Sequence, residues 1–66
     1  MRYIIQIGIS DYIQADNKKA FKVIELKNKE KATEFNRNEI PFIVQSILER
    51  YKDNINMRVH IIPVDD

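Results

Sequence analysis

His60 is the only histidine in the chain, and there is no cysteine. Protein zinc sites are normally built from several nitrogen and sulfur ligands, so a metal centre would rest on His60 and carboxylates alone. General acid–base work by His60 would need a partner, and Asp65 and Asp66 are its candidates. The remaining carboxylates are Asp11, Asp16, Glu25, Glu30, Glu34, Glu39, Glu49 and Asp53. Paired acid–base catalysis requires a cleft that separates two pKa values, and so short a chain leaves little room for one. Glu30 and Glu34 stand four residues apart, the spacing of neighbours on a helix, where like charges repel slightly. Ser10 and Ser46 are the only serines, and neither falls into a nucleophile grouping with His60 and an aspartate. Gly8 is the only glycine, which excludes a glycine-rich phosphate cradle. These residues predict no catalytic site, no metal, no cofactor and no enzymatic activity.

Cations offer a second kind of chemistry. Lys18, Lys19 and Lys22 surround one turn, and Lys27, Lys29, Lys31 and Arg37 follow it. Phosphate contact through Lys18, Lys19, Lys22, Lys27, Lys29 and Arg37 would bind nucleic acid in a salt-dependent manner. Tyr3 and Tyr12 would supply stacking platforms for unpaired bases. The cluster is interleaved with Glu25, Glu30, Glu34 and Glu39, and the net charge is only +1. A solvated mixed-charge surface is the plainer explanation, and nucleic-acid binding is the alternative.

The elements that must position these groups belong to one small domain. The chain has 66 residues, and a chain of that length buries only about 60% of its unfolded surface. It is 44% hydrophobic and 32% charged, a globular rather than a disordered composition. Small domains usually gain stability from disulfides, metals or oligomerisation. Without cysteine, oligomerisation is the remaining route, and a homodimer is expected. Met1 to Gly8 carries one basic residue and a short apolar run broken by Gln6, so no signal peptide is expected. No apolar stretch approaches the roughly 18 residues of a membrane span. A cytoplasmic location without membrane contact is the expectation.

Periodicity supplies the architecture. Residues 2 to 9 alternate, with Tyr3, Ile5, Ile7 and Ile9 on one face, the pattern of a half-buried strand. Gly8 marks either a bulge or the strand's end before a turn. Tyr12 to Ala15 predicts a second strand, unless residues 10 to 20 form one long loop. Phe21 to Leu26 predicts a third, with apolar residues on both faces. Asn28 is a suitable N-cap for a short helix from Lys29 to about Phe35, where Ala32 and Phe35 would face the core. Asn38 would cap the main helix, with Pro41 at N3, although Pro41 discourages an α conformation at Ile40. Ile40, Ile43, Val44, Ile47, Leu48 and Tyr51 then form one apolar stripe at helical spacing, with Phe42 beside it. Asn54 would end this helix in a left-handed conformation. Met57 to Val64 predicts the last strand, and Pro63 places it at an edge or marks its end. The expected fold is α+β: three to four antiparallel strands packed against one main amphipathic helix, with a short preceding helix.

The opening Met1 to Gly8, the pair Tyr12-Ile13 and the element Lys29 to Phe35 ahead of a longer helix resemble small uncharacterised accessory proteins of phages and prophages of low-GC Gram-positive bacteria. Rich Ile, Asn and Lys usage is similar to that of AT-rich genomes. The resemblance covers residues 1 to 52 and implies an accessory role without supplying a functional residue. The expected function is protein–protein interaction or self-association.

Overall fold

The computed structural model describes residues 1–15, 23–54 and 56–64. The chain runs through strands β1 (Arg2–Ile7), β2 (Asp11–Ala15) and β3 (Val23–Leu26). A 3-10 turn (Lys29–Lys31), strand β4 (Phe35–Asn36) and a second 3-10 turn (Arg37–Glu39) lead into helix α1 (Ile40–Arg50), and β5 (Val59–Val64) closes the sheet. The fold is α+β with a five-stranded antiparallel sheet, one strand more than the sequence predicts. Among the described residues no helix is long and apolar enough to cross a membrane. The cluster Lys18, Lys19 and Lys22, the start of the third strand at Phe21, and the tail Asp65-Asp66 lie outside the described residues.

β1 is the axis of the sheet. Its whole length pairs with β5, from Arg2 opposite Val64 to Ile7 opposite Val59. Its other side is shared: Gln6 and Ile7 pair with Tyr12 and Asp11 of β2, and Arg2 and Tyr3 pair with Asn36 and Phe35 of β4. β2 diverges from β1, and the chain before β4 fills the gap. There the Thr33 N–H donates to the Ile13 carbonyl at 3.1 Å, and the Ala15 N–H donates to Thr33 Oγ1 at 3.0 Å. β3 pairs with the outer side of β2.

The helix covers one face of this sheet. Ile5, Ile7, Ile13, Val23 and Phe35 meet Ile43 and Ile47 in a single buried cluster. Strand alternation gives β1 its Ile5 and Ile7 as predicted, and Val23 rather than Ile24 turns inward on β3. Several expectations need correction. Ile9 is 95% exposed, because β1 stops at Ile7 and Gly8 turns the chain with φ of 63°. Ile4, assigned by alternation to the opposite face, is also buried. Leu48 belongs to the stripe by spacing yet is exposed, as is Phe42.

The local caps differ from the sequence expectation in informative ways. Asn28 does cap, its Oδ1 accepting from the Glu30 N–H at 2.9 Å. The element it starts is only one 3-10 turn, and Phe35 lies in a strand instead of a helix. Glu30 and Glu34 are therefore not neighbours on one helix; Glu34 instead approaches Arg2 at 3.6 Å. The main helix is announced by Asn36 rather than Asn38. The Asn36 N–H donates to Glu39 Oε1 at 2.9 Å, and the Arg37–Glu39 turn runs directly into α1. Pro41 stands in the first turn, where its missing N–H breaks no intrahelical bond. Ile40 is α-helical despite preceding proline (φ −57°, ψ −47°), because the preceding turn already fixes the helical direction. The last strand starts at Val59, not Met57. Asn54 is not left-handed; among the described residues only Gly8 has positive φ.

Tyr51 follows the helix, packs against the core, and holds its hydroxyl buried with no hydrogen-bond partner among the described residues. A buried unpaired hydroxyl costs about 1–3 kcal/mol. Tyr51→Phe keeps the ring and removes that cost, so thermal melting should show a higher Tm. A lower Tm would mean that the hydroxyl has a partner in solution.

Candidate interaction surface

Among the described residues, those singled out for chemistry do not converge. His60 is exposed on the face of β5 away from the helix, opposite Gln6. It joins Gln6, Gly8, Ile9, Asn56 and Arg58 around a shallow depression open to solvent. Its proposed partners Asp65 and Asp66 lie outside the described residues. Among the described residues no three of His, Cys, Asp and Glu come together as metal ligands would. The Ser46 hydroxyl donates to the Phe42 carbonyl one turn earlier, a local helix contact.

The described cations are also separated. Lys27 follows Leu26, which lies in the row of Tyr12 and Gln6. Arg37 follows Asn36, which lies opposite Arg2. Those rows are about 13 Å apart along the strands at the usual rise per residue. Lys29 opens the intervening 3-10 turn. Tyr3 and Tyr12 lie on opposite faces of the sheet, since Tyr12 pairs with Gln6 and shares its face. They form no common stacking platform.

A different feature comes from the backbone. Every strand has two edges, and the outermost edges of a sheet present unpaired N–H and C=O groups. At the β3 edge, Arg50 reaches across from α1 and its Nη1 donates to the Val23 carbonyl at 2.8 Å. The exposed Glu25 shares that edge strand. One outward carbonyl of β3 is thus bonded by a guanidinium and the strand carries a charge, of which the charge is an ordinary means of discouraging strand addition.

The β5 edge carries one such device, Pro63 near the end of the strand. The Gly8 N–H donates to the Arg58 carbonyl at 2.9 Å, which fixes the phase of the β1–β5 ladder. Antiparallel ladders alternate inward and outward residues. His60, Ile62 and Val64 therefore bond to β1, and Val59 and Ile61 direct both backbone groups outward. Pro63 directs only a carbonyl outward, having no N–H. Among the described residues β5 pairs with β1 alone. The side chains of Val59 and Ile61 lie on the helix side of the sheet. Val59 packs against the core, whereas Ile61 is 46% exposed. On α1, Leu48 lies about 200° around the axis from Arg50 at 100° per residue, on the flank turned away from β3. It is 56% exposed.

Sequence reasoning left Pro63 marking either an edge strand or the strand's end, and it missed Arg50, whose contact with Val23 leaves no local signal. It also counted Leu48 as core, since spacing alone does not say how wide a stripe the sheet covers. No protein-family model, no curated protein and no solved structure matches this chain.

Proposed function

We propose that the protein acts by association, offering the outer edge of β5 to an extended segment of another polypeptide. The observation that carries this reading is the contrast between the two sheet edges. β3 has its Val23 carbonyl bonded by Arg50, and among the described residues the outward groups of Val59 and Ile61 on β5 have no backbone partner and lie beside an exposed isoleucine. An open edge with an adjoining apolar side chain is the chemistry of strand addition: main-chain bonds give affinity and alternate side chains give specificity. The reading fits the accessory role that the phage-protein resemblance implies.

Site-specific photo-cross-linking in the native cells tests it. A benzophenone amino acid replaces Ile61 in one variant, Leu48 in a second and the exposed Glu30 in a third. Cross-linked adducts are expected from the Ile61 position, more weakly from Leu48, and not from Glu30. Equal labelling at all three positions, or none at Ile61, removes the reading.

A further inference from the structure

We infer that the occupant of the β5 edge is a second copy of this chain, paired antiparallel about a two-fold axis that passes beside His60. The inference rests on the reading of β5 as an association edge and adds the partner and the register. The argument begins with hydrogen-bond complementarity. A two-fold axis makes an interface self-complementary, each residue meeting its counterpart's partner. With His60 opposite its own copy, Val59 of each chain falls opposite Ile61 of the other. Both are outward residues, so each copy's two N–H groups and two carbonyls all find partners across the axis. Pro63 then falls opposite Met57, beyond the strand bounds of Val59–Val64, where its missing N–H costs the ladder nothing.

The neighbouring register, with Ile61 opposite its own copy, fits less well. It places Pro63 opposite Val59 and leaves the Val59 carbonyl of each copy without a donor. Side chains agree with the His60 register. On the helix side, each half-exposed Ile61 packs against the partner's Val59, an apolar cross-strand pair. No charged side chain lies on that face of β5, so no like-charge repulsion opposes the pairing. Two chains so joined form one continuous sheet whose remaining outer strands are β3, with its Val23 carbonyl bonded by Arg50, and the two-residue β4. The joined sheet also supplies the burial that a 66-residue chain lacks alone.

The absence of cysteine from the chain makes the register readable by disulfide trapping. In a non-hydrogen-bonded antiparallel pair the Cα atoms lie about 4.5 Å apart, within the range of about 4.4–6.8 Å that a disulfide spans. His60→Cys is therefore expected to give a disulfide-linked dimer under mild oxidation, at a yield well above Ile61→Cys and above the exposed control Glu30→Cys. Circular dichroism on each variant ensures that folded chains are compared. Preferential trapping by Ile61→Cys overturns the register. Equal trapping by all three overturns edge pairing between copies. Light scattering on the unmodified protein separates the remaining outcomes. A dimer without preferential trapping means association through another surface. A monomer at about 1 mM, a concentration at which even weak millimolar pairing is visible, overturns the second copy. If the Ile61 photo-cross-link still forms with another protein, the edge reading stands without the dimer. If that cross-link is also absent, both fail.

Discussion

Phe35→Ala is expected to leave most of the protein unfolded at room temperature. Among the described residues Phe35 is the largest fully buried side chain, and it joins the core cluster between sheet and helix. Truncating a buried phenylalanine costs about 3–5 kcal/mol, the lost transfer energy plus the cavity left behind. Whole-domain stability is roughly 5–15 kcal/mol, and a domain this small lies toward the lower end. Relaxation into the cavity is limited by how β4 is held. Its two residues pair with β1, Thr33 bonds to β2 on one side, and Asn36 bonds to Glu39 on the other. That short segment is anchored at both ends and cannot easily move inward. Urea denaturation followed by circular dichroism should show Phe35→Ala without a folded baseline, and Phe35→Leu with a reduced but measurable midpoint. A Phe35→Ala midpoint close to that of the unmodified protein would mean that the gap between β1 and β2 is not filled as described.

The contrast between Phe35 and Ile5 explains what the sequence made legible. Ile5 belongs to a six-residue strand, and alternation over that length identifies both the element and its inward face. Phe35 belongs to a two-residue strand, too short for any period to appear. Its spacing of three from Ala32 imitated a helix. Ile9 misled for a related reason: alternation continued through Gly8, but the positive φ there turns the chain out of the sheet. Hydrophobic pattern reports which residues prefer burial and not where a strand must stop. The proposed association edge was half legible. Pro63 pointed from sequence alone to an edge strand or to a strand's end. That one outward carbonyl of β3 is bonded depends on Arg50 meeting Val23, residues 27 apart in the chain, and no local rule encodes that contact. The lysines are a different case. Lys18, Lys19 and Lys22 lie outside the described residues, Lys29 and Lys31 share one 3-10 turn, and Arg37 opens another.

Ile47→Ala and Leu48→Ala should have very different consequences although the two residues are adjacent and similar in size. Ile47 is fully buried and belongs to the cluster beneath α1. Its truncation removes methyl groups from a close-packed environment and is expected to cost about 2–5 kcal/mol. Leu48 is 56% exposed, so its truncation in the isolated chain returns little apolar surface to water. Alanine also has the higher helix propensity, and the net change should fall within about 0.5 kcal/mol, as for other surface positions. The angular step of 100° per residue carries position 48 onto the flank of the helix opposite Arg50, whose guanidinium bonds to β3. Denaturant midpoints of the two variants, measured at low protein concentration, test this directly. Equal losses would place Leu48 in the core and remove the exposed apolar flank of α1. Unequal losses at low concentration, with the Leu48→Ala deficit growing as protein concentration rises, would locate Leu48 in a contact that forms only on association. Mass action makes that dependence unavoidable, because a partner that binds only the folded chain stabilises it more as its concentration increases.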